Sequence, residues 1–142
     1  MPRMIPLVLV LATACAARTP KLEFLARPNA LGPFSEAVRV GDVVFLSGVL
    51  GTDSTGRLVP GGIGPETKQA LENVKSALER NGLSMDQVVK CTAMLADIAE
   101  WGAMNTEYAK YFPGPKPARS AFGASGLVRG GRIELECIAA AR

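Results

Sequence analysis

Residues 70–97 read "ALENVKSALERNGLSMDQVVKCTAMLAD" and place a helix directly before a strand. The helical part carries one apolar stripe, formed at helical spacing by Ala70, Leu71, Val74, Ala77 and Leu78. Gly82 suits the left-handed cap that ends such a helix. Beyond it, "DQVVKCTAMLAD" (86–97) has the length and the apolar content of a strand. This order predicts a domain in which helices pack on a sheet.

The residues before this unit predict a β-hairpin. "SEAVRV" (35–40) alternates polar and apolar residues, as a half-buried strand does, and "VVFLSGVL" (43–50) is more continuously apolar. Gly41 and Asp42 form the turn signal between them. Regular alternation would place Val43, Phe45 and Val49 on one face of the second strand and Val44, Leu46 and Leu50 on the other. Glycine in a strand indicates a bulge or a close backbone approach, and Gly48 follows Ser47 in this run.

The residues around and after the unit predict the remaining elements. Pro65 opens the first helix. Asp97 caps a second helix, with Glu100 three residues later as in a capping box, and one side of that helix carries Ile98, Trp101, Asn105, Tyr108 and Phe112. "ARSAFGA" (118–124) and "RIELECIAAA" (132–141) supply the last two strands.

The resulting order, β-β-α-β-α-β-β, predicts an α+β domain with a mixed sheet and both helices on one face. The strands are apolar on both faces, so the face without helices would be left bare. A bare apolar face needs a partner, and a closed homo-oligomer is the simplest one.

Composition excludes several classes of function. The chain of 142 residues contains no histidine, which excludes Ser-His-Asp and Cys-His nucleophile pairs, a histidine base and imidazole metal ligands. The net charge of +3, from 16 basic and 13 acidic residues, is too small and too scattered to indicate a nucleic-acid partner.

The three cysteines, Cys15, Cys91 and Cys137, fit no zinc or redox motif. Cys91 and Cys137 lie in apolar runs, which favours small buried side chains with free thiols. A disulfide between them is the alternative, and it requires that their strands be neighbours.

The first 18 residues are predicted to be an export signal that precedes a single domain over residues 19–142. Arg3 is followed by an apolar run from Ile5 to Leu11 and then by small residues, the layout of a secretory signal. Cys15 follows Ala12-Thr13-Ala14 as in a loose lipobox, which would anchor the protein to a membrane through a lipidated Cys15. Cleavage after Ala14 or Ala16 is the competing interpretation, and an N-terminal extension of a cytoplasmic protein is the third. The predicted location is therefore periplasmic or lipid-anchored, and otherwise cytoplasmic.

Four positions attract attention as candidate site residues. The planar, always-charged guanidinium of Arg119 suits a carboxylate, but a single arginine is more simply explained as a surface charge or as part of a structural salt bridge. Glu134 shares a strand face with Arg132 and Glu136, as a solvated face would. A half-buried Asn105 needs hydrogen-bond partners, which favours a structural role over substrate binding. Ser47-Gly48 would expose backbone donors or allow close packing.

Taken together, these segments resemble the Rid/YjgF family, the reactive intermediate deaminases (RidA). The resemblance runs from about Pro28 to Ala140 and is carried by "GPFSEAVRVGDVVFLSG", "ALENVKSALERNGLSMDQVVKCTAMLAD", "MNTEYAKYF", "PARSAF" and "IELECIA". It implies a chorismate mutase-like fold, a homotrimer and pockets in the clefts between subunits. It also implies hydrolysis of enamines and imines, such as 2-aminoacrylate, to 2-oxo acids and ammonia without a metal or an organic cofactor.

The resemblance gives each matching residue an expected role. Arg119 would anchor the substrate carboxylate, and Glu134 would contact the attacking water. The expected substrate-binding set is Arg119, Ser47, Gly48, Phe34, Asn105, Ser120 and Ala121, the carbonyls near Ser120 and Ala121 helping to place the water. Phe34 stands where many members have tyrosine, and Ala121 where many have cysteine. These two departures keep an alternative open, a non-catalytic trimeric module that binds small carboxylates or protein partners.

Overall fold

The computed structural model describes residues 19–27 and 33–141 of the chain. The predicted signal over residues 1–18, with Cys15, lies outside the described residues, as does the start of the family resemblance at Pro28. No helix within the described ranges is long and apolar enough to cross a membrane. The elements are β1 (Leu22–Leu25), β2 (Ala37–Val40), β3 (Val43–Leu46), β4 (Val49–Leu50), α1 (Ile63–Arg80), β5 (Val88–Leu95), α2 (Trp101–Tyr108), β6 (Ala118–Gly123) and β7 (Ile133–Ala140).

The strands form one sheet in the order β1-β2-β3-β7-β5-β6, and β4 also pairs with β7. All the neighbouring strands described are antiparallel except β5 and β6, which run parallel. Parallel neighbours need a crossover connection, and α2 lies on the segment that joins β5 to β6. The predicted α+β fold with a mixed sheet is thus confirmed.

The apolar stripe that predicts α1 is the buried side of that helix. Leu71, Val74 and Leu78 have no exposed surface, and they join a core with the inward residues of β5 and β7, such as Ala93 and Leu135. Helix α2 adds the buried Met104 and Tyr108 to the same core. The helices therefore cover one face of the sheet, and the opposite face, here called the open face, carries none of the helices described.

Two details of the predicted elements differ. Helix α1 begins at Ile63 rather than at Pro65, and the proline still fits because the first-turn amides have no helical acceptor. Asp97 is a helix cap as predicted, since its carboxylate accepts a hydrogen bond of 2.9 Å from the Ala99 amide, but it caps the short 3-10 turn Ile98–Glu100 that precedes α2. The predicted role of Glu100 in a capping box is wrong, because its carboxylate pairs with Arg132 instead.

The predicted strand over 43–50 is interrupted at Ser47 and Gly48. Phe45 pairs with Ile138, whereas Val49 pairs with Leu135, so the register against β7 shifts by one residue. One extra residue in one strand is a β-bulge, which confirms the bulge that Gly48 indicates. The bulge reverses the alternation, and Val49 packs against the core. The prediction that Val49 shares a face with Phe45 is therefore wrong.

Strand β1 was not predicted from the sequence. It pairs antiparallel with β2, and Leu22 and Phe24 lie opposite Val40 and Val38 on the open face. Phe24 is 70% exposed and Phe45 is 43% exposed, so the apolar residues expected on the uncovered face are present there.

The favoured prediction of free thiols at Cys91 and Cys137 is wrong. The two residues are register partners on β5 and β7, their Cα atoms are 4.1 Å apart, and their sulfur atoms form a disulfide. Both side chains are buried on the helix-covered face. The alternative, a disulfide, required β5 and β7 to be neighbours, and they are neighbours at the centre of the sheet.

This disulfide is expected to contribute to stability because it links residues that are 46 positions apart in the unfolded chain. Replacing both cysteines (Cys91→Ala with Cys137→Ala) should lower the free energy of unfolding in urea by about 2–4 kcal/mol. A reductant should destabilise the natural chain and leave the double variant unchanged. Labelling of Cys91 and Cys137 by a thiol reagent in the denatured, unreduced chain would contradict the bond.

Candidate functional site

Arg119 is held by side chains of α2. It lies on β6, an edge strand, and its Nη2 donates a hydrogen bond of 2.7 Å to Asn105 Oδ1. Its guanidinium carbon lies 4.5 Å from the centre of the Tyr108 ring and 5.7 Å from that of Trp101. Trp101, Asn105 and Tyr108 are spaced four and three residues apart, so they share one side of the helix. We call these three residues the α2 cradle.

The charge of Arg119 is fixed in place without being neutralised. The α2 cradle supplies an amide oxygen and two ring faces, none of which carries a formal charge. Across residues 19–27 and 33–141, no carboxylate lies within ion-pair distance of Arg119. The side chain is partly exposed. A rigid, half-exposed guanidinium with an unmatched charge is suited to binding an external carboxylate bidentately.

A cleft of about 220 Å³ opens beside this guanidinium. Its walls come from α2, from the turn that follows, and from the proline-rich segment before β6. The lining residues are Asn105, Tyr108, Ala109, Phe112, Lys116, Pro117 and Arg119. The volume suits a small molecule, and the cationic lining suits an anionic one.

Glu134 lies on the other face of the sheet. On β7 it pairs with Leu50 of β4 and with Met94 of β5, whereas Ile133 and Leu135 on either side of it are buried under the helices. A Cβ atom at Gly48 would overlap the Glu134 carboxylate. The absence of a side chain at Gly48 therefore leaves the space that the carboxylate occupies.

Arg119 and Glu134 are not brought together within one chain. Arg119 is the register partner of Cys91, which in turn pairs with Cys137, so these three residues form one row under the helices. Glu134 belongs to the open face with Glu136. The two residues expected to act on one substrate thus point to opposite sides of the same sheet.

The remaining expected site residues are distributed between the two faces. Ser47 Oγ donates a hydrogen bond of 2.7 Å to the Ser35 carbonyl, which ties the bulge to the preceding loop. Ser120 Oγ accepts one of 2.7 Å from Lys90 Nζ, and Phe34 is largely exposed. Ala121 pairs with Ala93 on the covered face, one register position beyond Ser120.

Sequence reasoning missed two features of this site. The helical spacing places Trp101 and Tyr108 on one side of α2 but does not identify them as partners of Arg119, and nothing in the sequence marks Lys116 as a lining residue. The aromatic spacing on α2 was the available signal, but only the parallel pairing of β5 with β6 reveals that this side faces Arg119.

Burial raises the pKa of the Tyr108 hydroxyl to about 12, and the neighbouring Arg119 charge opposes part of the rise. This hydroxyl has no hydrogen-bond partner among the described residues, so no hydrogen-bond donor stabilises an ionised form. Tyr108 is therefore a neutral wall of the cleft. As for metals, the described part of the chain gathers no set of three His, Cys, Asp or Glu side chains that could hold an ion.

Comparison with known proteins gives a consistent result. The model of the family described as endoribonuclease L-PSP matches residues 24–141. A mouse protein named 2-iminobutanoate/2-iminopropanoate deaminase is 46% identical over 113 residues, which cover 79% of this chain and 84% of the mouse protein.

Solved structures agree with these matches. The yeast protein YEO7 superposes with a TM-score of 0.81 at 38% identity, covering 86% of this chain and all of that one. The YjgF gene product of E. coli gives a TM-score of 0.78 at 30% identity, covering 84% of this chain and 99% of that one.

The raised pKa of Tyr108 predicts a loss of stability in alkali. A tyrosine whose pKa rises from 10 to about 12 on folding stabilises the protein fully below pH 10, and this contribution disappears as the pH approaches 12. The free energy of unfolding should therefore fall over that interval, and Tyr108→Phe should make the fall shallower. An ultraviolet titration that detects tyrosinate at Tyr108 near pH 10 in the folded protein would contradict this prediction.

Proposed function

Because the chain belongs to the endoribonuclease L-PSP family, the Rid/YjgF proteins, we propose that it is a hydrolytic deaminase of reactive 2-imino and enamino acids. Its substrates are compounds such as 2-iminopropanoate, 2-iminobutanoate and 2-aminoacrylate, which it converts to 2-oxo acids and ammonia. The observation that carries this proposal is the rigid, unneutralised guanidinium of Arg119 at a small cleft.

The reaction requires little of the protein beyond the positioning of the substrate and the attacking water. Water adds to the protonated imine carbon, the C–N bond of the resulting adduct breaks, and the products are the 2-oxo acid and ammonium. The iminium carbon is already electrophilic, so holding it and the water in line supplies much of the acceleration. Arg119 binds the carboxylate next to that carbon. Glu134 accepts a proton from the water as it attacks.

The placement of these two residues requires a second subunit in the site. Arg119 points to the helix-covered side of an edge strand and Glu134 to the open face, so one chain cannot offer both to a small substrate. The open face of one copy, placed against the β6 edge of another, would bring them together. Exposed apolar residues on that face, Phe24 and Phe45 among them, support the association. A closed homotrimer, as expected for this family, is the assembly we propose.

The absence of a pocket hydroxyl at Phe34 and of a thiol at Ala121 supports the competing proposal, a trimer that binds small carboxylates without converting them. The two functions differ in one measurable respect. A binding module retains 2-oxo acids or stable carboxylates but leaves the rate of imine hydrolysis unchanged.

Substitution of Arg119 and Glu134 tests the deaminase. An amino acid oxidase generates the imine, semicarbazide traps what is not hydrolysed, and the rate of trapping is followed. Arg119→Ala should lower kcat/KM roughly ten- to hundredfold, since a charge-assisted carboxylate contact contributes about 1.5–3 kcal/mol. Glu134→Gln should lower kcat by about a hundredfold or more. Arg57→Ala removes an exposed arginine outside the cleft and should leave the rate unchanged.

Mixing the two variants tests the shared site. Trimers that contain both Arg119→Ala and Glu134→Gln subunits hold some clefts with an intact Arg119 from one chain and an intact Glu134 from the next. These mixed trimers should recover part of the activity that each variant alone lacks. No recovery, in trimers shown by mass to be mixed, would place both residues of a working site on one subunit and overturn the proposal.

We propose further that the protein is exported. Disulfides persist in oxidising compartments, and Cys91–Cys137 is buried between two central strands. The predicted signal over residues 1–18 is an independent reason. Intact mass of the purified protein should show either a diacylglyceryl adduct on Cys15 or a chain cleaved after Ala14 or Ala16. An unmodified full-length chain in the cytoplasmic fraction would contradict export.

A further inference from the structure

The cleft beside Arg119 contains a second cation that the hydrolysis of a simple imino acid does not use. Lys116 lines the same cavity three residues before Arg119, with Pro117 between them. Its Nζ donates a hydrogen bond of 3.1 Å to the Phe112 carbonyl. This bond uses one of the three ammonium donors and leaves two for a ligand.

No acidic side chain in the described part of the chain balances this pair of charges. Lys116 and Arg119 form no ion pair there, and none of the residues that line the cleft is acidic. Like charges that line one small cavity repel each other, and an anion bound beside them offsets that repulsion. A single carboxylate would satisfy the fork of Arg119 and leave Lys116 unmatched.

The wall near the two cations is apolar. Ala109, Phe112 and Pro117 line the cleft with apolar side chains, and the Phe112 carbonyl accepts the hydrogen bond from Lys116. Short methylene chains are stabilised on such a surface. The cleft therefore combines a carboxylate anchor, an apolar wall and a second, separate cation.

From this arrangement we propose that the cleft selects imino acids with a second carboxylate, the imines of dicarboxylic amino acids, and that Lys116 is the residue that selects them. The carboxylate next to the imine carbon binds Arg119, the methylene groups lie on the apolar wall, and the distal carboxylate binds Lys116. The inference rests on the proposed deaminase function and names the substrate class within it. Each turnover consumes one protonated imine and one water and releases one 2-oxo acid and one ammonium.

The test compares two imines on the same protein. Imines of alanine and of aspartate or glutamate are generated by suitable amino acid oxidases, and kcat/KM is measured for each. The natural chain should favour the dicarboxylic imine. Lys116→Gln should lower the ratio of the dicarboxylic to the monocarboxylic kcat/KM by roughly three- to fivefold, the size of an exposed ion pair. Lys116→Glu should lower it further, and added salt should weaken the preference of the natural chain.

Lys110→Gln is the matched control. Lys110 is an exposed lysine nearby that pairs with Glu107 and does not line the cleft, so its loss changes the net charge equally and should leave the ratio unchanged. Equal losses on both substrates in Lys116→Gln would overturn the inference, because Lys116 would then not discriminate between them.

The deaminase activity and the selective role of Lys116 are distinguished by which imine is turned over. Turnover of the alanine imine without any preference for the dicarboxylic imine would overturn the role of Lys116 and leave the deaminase intact. Turnover of neither imine would overturn the deaminase itself.

Discussion

The position of β5 between a parallel and an antiparallel neighbour is the constraint on which the rest of this structure depends. Its inward residues are buried under the helices, and the register with β6 and β7 extends that inward row to Arg119 on one side and to Cys137 on the other. Because side chains alternate strictly along a strand, a shift of one residue would move Arg119 to the open face, away from α2. The disulfide in the same row joins β5 to β7 covalently at this point.

The packing around Arg119 explains how a cation can be both rigid and available. Stacking against a ring face contributes about 0.5–2 kcal/mol, according to how far the cation is desolvated, without cancelling its charge. An acidic partner would have held the side chain equally well but would have competed with the substrate. The α2 cradle fixes the guanidinium with neutral groups. Binding of a carboxylate therefore does not carry the entropic cost of ordering the Arg119 side chain.

Much of the fold could be predicted from local patterns, because those patterns reflect local physics. The stripe on α1, the Gly41–Asp42 turn and the alternation in "RIELE" each depend on residues close in sequence, and all three are present. Strand β1 was not predicted because a four-residue strand is too short to show a clear alternation of polar and apolar residues. The disulfide and the α2 cradle depend on which strands become neighbours, a long-range outcome that periodicity does not encode. Arg119 and Glu134 could be selected through a family resemblance, but their placement on opposite faces becomes visible only with the sheet register.

The bulge at Ser47 and Gly48 also limits how the length of the chain can change. Loops at the surface commonly absorb insertions and deletions, and a stretch between two short strands resembles such a loop. Here the extra residue returns Val49 to the core and leaves room for the Glu134 carboxylate. A deletion of one residue would turn Val49 outward and Leu50 inward, and it would remove the space above Gly48. Any shortened or grafted version of this domain must therefore keep both the two-residue count between Leu46 and Val49 and the glycine at position 48.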